Sequence, residues 1–236
     1  GVAHEVNSPL DGAIEASRII ERCASDPEKV VRFANAQREA LERIANTVKT
    51  LLTYSRRPKT QAHKEVAAAS LLQEAITIVK HRLLRENITL KTPDLKKMDI
   101  TLYGDDMSLV QVLVNLINNA LDVTPQGGEV AVDVSARTDW IEFSVLDEGP
   151  GIPPDVAPRL FTPFFTTKAV GKGTGLGLAT ARNTVSEHGG VIEFVNLTPP
   201  KGARFTVSRP RHGRRIPGAE ARRTNPVLSF ARTATR

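Results

Sequence analysis

Residues 171–179 read GKGTGLGLA, with Gly171, Gly173, Gly175 and Gly177 at alternate positions, running straight into a segment of helical spacing at about 175–188. The free main-chain N–H groups of such a loop, and the positive end of the helix that follows, face an anion. One glycine-rich loop is a weak signal alone, so its weight depends on the elements around it. After it, VIEFV (191–195) and RFTVS (204–208) pair as a hairpin. Before it, EVAVDVS (129–135) and WIEFSVL (140–146) alternate apolar and polar residues around a short turn at Thr138 and Asp139, a hairpin with one buried face. Residues 107–123 read as a strongly apolar helix, residues 71–84 as another, and ITL (88–90) and DITL (99–102) as short strands. This order predicts an α+β sandwich, with helices on one face of a mixed sheet.

Polar groups fall at particular points of that frame. In NLINNALD (115–122), Asn115 and Asn119 are four apart, which puts both carboxamides on one helix face. An amide oxygen is a hard neutral ligand, suited to Mg²⁺ with waters and phosphates in its shell. In DEGPGIP (147–153), Asp147 stands where a buried strand ends, and Gly149 and Gly151 let a nucleotide base approach the backbone. A carboxylate there can accept a hydrogen bond from an exocyclic amine such as that of adenine. LFTPFFTTK (160–168), three phenylalanines with Lys168, lies between this segment and the glycine loop and is expected to be a mobile lid.

Residues 1 to about 56 have a different character. Val2, Val6, Leu10, Ile14 and Ser17 recur at helical steps, as do Val30, Phe33, Ala34, Gln37, Leu41, Ile44, Ala45, Val48, Leu51 and Leu52. Between them CASDPEK stops one helix and starts the next, with Asp26 as N-cap and Pro27 in the first helical position. Two antiparallel helices alone leave an apolar stripe uncovered, and pairing with a second copy into a four-helix bundle buries it. SRRPKTQAHKE (55–65) ends the second helix and reads as a linker.

The bulk properties narrow the class. With 236 residues, 40% of them hydrophobic, two domains at most are expected. Cys23 is the only cysteine, so an internal disulfide is impossible, and no Cys/His cluster suggests zinc. A reducing, cytoplasmic setting fits, and no apolar run approaches the roughly 18 residues of a membrane span. The net charge of +6 is a tail property: from Arg209 onward eight arginines face one acid, Glu220, which leaves about −1 on residues 1–208. The tail has the Pro, Gly and Arg content of a disordered segment, and a nucleic-acid partner is disfavoured.

In this order and on these elements, the segments resemble the transmitter of a two-component sensor histidine kinase. HEVNSPL (4–10) resembles the family's H box, NLINNALD its N box, DEGPGIP its G1 box, LFTPFF its F box and GKGTGLGL its G2 box, a match over residues 1 to about 208. The resemblance implies a helical hairpin that dimerises into a four-helix bundle, followed by an α+β sandwich of the GHKL type. The implied division is 1–60 for dimerisation and phosphoacceptance, 61–208 for catalytic ATP binding, and 209–236 for the basic tail. By the same resemblance His4 accepts the phosphoryl group from Mg-ATP, Glu5 assists as base, Asn119 is the Mg²⁺ ligand with Asn115 nearby, and Asp147 recognises adenine. Gly149, Gly151, Lys168, Gly173, Gly175, Leu176 and Gly177 make up the remaining ATP-binding positions. The implied partners are a second copy of the chain through residues 1–56 and a response-regulator receiver domain docking near Asp11, Ile14, Glu15 and Arg18, with the sensor region outside this sequence.

The residues themselves support these roles. A neutral imidazole can offer a ring lone pair near pH 7, and a neighbouring carboxylate can take or orient its proton. Pro9 cannot donate to the carbonyl of Glu5, so a kink below His4 is expected. His63 lies in the linker, His212 in the tail and His188 at a helix C-terminus suited to a cationic or capping role; neither these nor His81 have both an adjacent acid and a downstream proline. Ser8 stands where many relatives carry Asn or Thr, which leaves dephosphorylation of the partner open. Two other readings compete. One is an ATPase of the wider nucleotide-binding group, which has no use for an upstream His-Glu helix, and the other is a dimeric scaffold without catalysis.

Overall fold

The computed structural model describes residues 2–55, 63–168, 173–197 and 202–211. The chain divides into two compact units, residues 1–59 with 159–179, and residues 60–158 with 180–236. In the first, α1 (Val2–Arg22) and α2 (Pro27–Ser55) pack as a hairpin. Asp26 caps α2 as its sequence predicts: its carboxylate accepts from the main-chain N–H of Lys29 at 3.2 Å and pairs with the Lys29 ammonium at 2.9 Å. That side-chain partner holds the Asp26 carboxyl below its usual range. Among the described side chains of α1, Ala13 and Ala16 are buried, whereas Leu10 and Ile14, like Val31, Leu41 and Val48 of α2, remain exposed. Pro9 falls inside α1. No helix among the described residues is long and apolar enough to cross a membrane.

The second unit is built on a five-stranded sheet of order β2-β4-β5-β7-β6. Its strands are β2 (Thr89–Lys91), β4 (Glu129–Ala136), β5 (Trp140–Leu146), β6 (Val191–Asn196) and β7 (Ala203–Pro210), with β2 parallel to β4 and the other pairs antiparallel. Both predicted hairpins form, and the mixed sheet follows from β2. The register aligns Val134, Phe143, Val207 and Ile192 in one cross-strand row and Val132, Val145, Phe205 and Phe194 in the next. These rows give the sheet its apolar face, because the strand period of two puts alternate side chains on one side. The helices α3 (Ala68–Glu86) and α4 (Asp106–Val123) pack against each other, and α4 packs on β4 and β5. Nine residues of α4 are buried, from Leu109 to Leu121, which leaves it a narrow polar stripe.

Two readings of the sequence need correction. The linker ends earlier than expected: β1 (Lys64–Ala67) pairs antiparallel with β3 (Thr101–Gly104), with Val66 opposite Leu102 and both buried. A four-residue strand with two polar residues is too short for its alternation to be read, and only the pairing identifies it. Residues 56–62 of that linker lie outside the described residues.

The basic tail likewise begins later than Arg209. That residue lies opposite Ile141 in the ladder, and the same alternation that buries Phe205 and Val207 carries it inward, to 1% exposure. Its Nη2 donates to the Tyr103 carbonyl at 2.5 Å and its Nε to that of Pro210 at 3.3 Å, while Nη1 has no hydrogen-bond partner among the described residues. Burial pulls its pKa down to about 10, so it is still a cation at neutral pH. Arg211 is also structural, donating from its main chain to Asp139 and from Nε to Thr101. Residues 212–236 lie outside the described ones.

Of the two roles open to His188 at the end of α5 (Gly177–Glu187), capping and cationic, it takes the cap, as a neutral ring. It is 9% exposed; its Nε2 accepts from the main-chain N–H of Asp105 at 3.3 Å, so Nδ1 carries the proton and donates to the Thr184 carbonyl at 2.8 Å. His63 stacks on its ring at 5.0 Å. Burial, with the Arg209 charge acting in the same direction, lowers its pKa. The unfolded chain therefore binds a proton near pH 6.5 that the folded chain resists, and stability rises with pH across that window. Urea unfolding of the chain is expected to show stability falling between pH 7.5 and pH 5.5, with a shallower fall in His188→Gln, whose side chain takes up no proton there.

Candidate functional site

The candidate site of the second unit starts where β5 ends. Its last inward residue before the loop is Val145, and the chain then turns through Asp147, which is 6% exposed. Two main-chain donors hold the carboxylate, Gly149 N–H at 2.8 Å and Ala203 N–H at 3.1 Å, both onto Oδ1. Oδ2 takes no side-chain or main-chain hydrogen bond among the described residues. Burial pushes the Asp147 carboxyl up, and the two N–H groups work against that rise. A desolvated carboxylate with one committed oxygen and one uncommitted oxygen is an acceptor held in a fixed direction.

The loop is fixed on both sides. At its start, Asp147 N–H donates to the Ala203 carbonyl at 3.0 Å, and β7 approaches so closely that a Cβ on Gly202 would lie 1.9 Å from the Asp147 carbonyl oxygen. At its exit, the Asn196 carboxamide pairs with both main-chain groups of Ile152, accepting from N–H and donating to C=O at 2.8 Å each. Sequence reasoning missed Asn196, whose only signal was an amide at the end of a strand. Gly149 packs against Val123 at the end of α4; a Cβ there would lie 2.7 Å from Val123 Cγ2. The loop carrying Asp147, Gly149 and Gly151 is thereby brought against the C-terminal end of the helix carrying Asn115 and Asn119.

On α4, Asn115 Oδ1 accepts from Gln111 Nε2 at 3.0 Å, and Asn119 stands one turn further on with its amide nitrogen buried. Among the described residues no cluster of His, Cys, Asp and Glu could hold a metal ion. The donor set that remains, neutral amide oxygens on one helix face, suits a cation that keeps most of its shell in water and phosphate, as Mg²⁺ does, and does not suit zinc.

In the first unit, the residues 160–168 and 173–177 are tied together. Phe164 N–H donates to the Gly175 carbonyl at 3.0 Å. Gly175 has φ +63°, and a Cβ on it would lie 2.4 Å from the Phe164 carbonyl carbon, so no other residue fits. Phe164 itself has φ +65°, a left-handed conformation that costs about 1–2 kcal/mol for a side chain of this kind. The Arg159 guanidinium covers the Phe165 ring at 4.3 Å from its centroid. Lys168 donates from its main chain to Thr166 Oγ1, and both side chains border Gly173. Leu176 is fully buried, and Gly177 opens α5 (Gly177–Glu187). Gly171 lies outside the described residues, as do the side chains of His4 and Glu5, whose backbone belongs to α1.

Comparison with known proteins adds independent findings. Residues 104–213 match the family described as histidine kinase-, DNA gyrase B- and HSP90-like ATPase. Sensor histidine kinase ZraS of Escherichia coli O157:H7 is 34% identical over 211 residues, covering 89% of this chain and 45% of ZraS. The chain thus spans less than half the length of that relative. Among solved structures, the catalytic domain of histidine kinase ThkA is 30% identical with a TM-score of 0.56, covering 64% of this chain and 99% of that one. The structure of ThkA in complex with the response regulator protein TrrA is 26% identical with a TM-score of 0.72, covering 90% and 60%. The ordered segments, the mixed sheet with its Asp147 loop and these matches lead to one assignment: the chain belongs to the two-component sensor histidine kinases and carries their GHKL-type ATPase domain.

Proposed function

We propose that this chain is the catalytic transmitter of a sensor histidine kinase, which autophosphorylates His4 from Mg-ATP and passes the phosphoryl group to an aspartate of a response-regulator receiver domain. The observation that carries the reading is Asp147, a buried carboxylate held by main-chain N–H groups with Oδ2 uncommitted. Keeping an ionised carboxylate out of water costs stability, and an exocyclic amine of adenine would offset that cost with a hydrogen bond. The assigned division is residues 1–60 for dimerisation and phosphoacceptance and residues 61–211 for ATP binding, since β7 runs to Pro210 and Arg211 is bonded to Asp139 and Thr101.

Phosphoryl transfer needs alignment and neutralised charge more than covalent help. Asn119 would supply a neutral oxygen to Mg²⁺, with Asn115 nearby, and the ion when bound would screen the phosphate charge. Main-chain N–H groups of the loop holding Gly173, Gly175, Leu176 and Gly177, with the positive end of α5 and Lys168, would receive the phosphates. A neutral ring nitrogen of His4 attacks the γ-phosphorus of ATP; the N–P bond forms as the bond to the β-phosphate oxygen breaks, leaving ADP. Glu5 takes or orients the proton on the other ring nitrogen.

The exposed residues Leu10, Leu41 and Val48 support a homodimer through residues 1–56, since a second hairpin would cover them. Asp11, Ile14, Glu15 and Arg18 form one exposed ridge of α1, with Arg18 reaching Glu15 at 3.5 Å, and are the surface assigned to the receiver domain. The expected setting is the cytoplasm.

Incubation with ATP labelled in the γ-phosphate is expected to label the chain with an alkali-stable, acid-labile phosphate that is absent from His4→Gln; label persisting in that variant excludes His4. A second outcome follows from the raised pKa of Asp147. A group whose folded pKa lies above its unfolded value stabilises the fold at low pH and loses that contribution as pH rises through the folded pKa. At pH 7 the ionised carboxylate is therefore a liability to the empty protein. Asp147→Asn keeps an oxygen for Gly149 and Ala203, so its unfolding temperature without nucleotide should equal or exceed that of the parent. Its affinity for ADP by calorimetry should fall at least tenfold.

A further inference from the structure

One polar network of the second unit plays no part in the reading above. Arg82 of α3 is 24% exposed, and α4 takes three of its four hydrogen bonds. Nη1 donates to the main-chain oxygen and to Oδ1 of Asn118, each at 3.1 Å; Nη2 donates to Asp122 Oδ1 at 2.5 Å; Nε donates to Glu86 Oε1 at 2.9 Å. Burial acts against the cation, but the Glu86 and Asp122 carboxylates prevail and raise its pKa above the ordinary guanidinium value. Glu86 is held low by the same pairing, against its own desolvation.

The placement of these contacts along α4 gives them their significance. Asn118 and Asp122 are four apart and form one ridge; Asn115 and Asn119 form the next, about 60° around the axis at 3.6 residues per turn. The Asn118 carbonyl held by Arg82 belongs to the peptide plane whose nitrogen is that of Asn119. Any rotation of α4 that re-aims the Asn119 carboxamide must move that plane and break the fork. A fixed planar fork suits this task, since one guanidinium can grip two points of a helix at once, which an ammonium cannot.

We propose that Arg82 is a positioning residue for metal-nucleotide binding: by clamping the Asn118–Asp122 ridge to α3, it fixes the rotation of α4 that aims Asn119. The inference rests on the assignment of Asn119 as the Mg²⁺ ligand. It concerns the metal-dependent part of affinity alone, because Asp147 is oriented by Gly149 and Ala203 and not by Arg82.

The test uses the whole chain and measures ADP affinity by calorimetry with Mg²⁺ and with EDTA, at a temperature where circular dichroism shows each variant folded. In the parent chain Mg²⁺ tightens ADP binding. In Arg82→Met that gain falls about tenfold, the lower end for loss of an outer partner of a metal ligand, while affinity in EDTA changes less than about twofold. Arg82→Lys, which keeps the charge without the fork, falls between and serves if Arg82→Met does not fold. In the Asn119→Ala background, Arg82→Met changes nothing further, because the two act as one unit. A full Mg²⁺ gain in both Arg82 variants, or additive losses in the double variant, overturns the inference and leaves the Asn119 assignment standing. A parent chain indifferent to Mg²⁺ overturns the Asn119 assignment and this inference with it.

Discussion

The burial of α4 is the constraint on which the second unit depends. Leu109, Val110, Val112, Leu113, Val114, Leu116, Ile117, Ala120 and Leu121 are all buried, so this helix is apolar over most of its circumference and lies at the centre of the core between α3 and the sheet. A helix this enclosed cannot rotate far, since a large rotation brings an amide or a carboxylate into the core. Its polar side chains are thereby confined to one stripe, and that stripe holds Asn115, Asn118, Asn119 and Asp122. The end of the helix then sets the loop after β5, because Val123 packs on Gly149 and Gly149 orients Asp147. Core packing and site geometry are in this sense one structure.

The sequence made most of this legible because the elements are long and periodic. The β4–β5 hairpin alternates cleanly, α4 is apolar over most of its circumference, and Asp26-Pro27 is a local start signal that works through main-chain chemistry within one turn. What escaped depended on contacts distant in the chain. Strand β1 exists only through β3, some 37 residues later. Arg82 reads as one more charge on an exposed helix until Asn118 and Asp122 are set beside it. Asn196 acquires its task only when the chain returns to pass Ile152.

Arg209 and His188 show a more instructive divergence. Arg209 reads by type as a tail cation, and the strand period overrides the type; His188 reads as a cation or a cap at a helix end, and burial selects the neutral cap. The alternation of β7 turns Arg209 inward after three apolar residues, and the fold supplies the Tyr103 and Pro210 carbonyls in place of an acid. His188 meets the same environment and responds by remaining neutral, with one ring nitrogen donating and the other accepting. The guanidinium cannot give up its proton at neutral pH and must be solvated by carbonyls, whereas the imidazole simply does not charge.

The way Asp147 is held bears on inhibitor resistance. Its two donors are main-chain N–H groups, of Gly149 and Ala203, and no exchange of side chains removes such a donor short of proline. A compound that binds this carboxylate through an amine would confront a target whose orientation is insulated from most point changes nearby. Escape variants would be confined to Asp147 itself or to the few residues packed against its backbone, Gly202 foremost, where any added carbon collides with the loop.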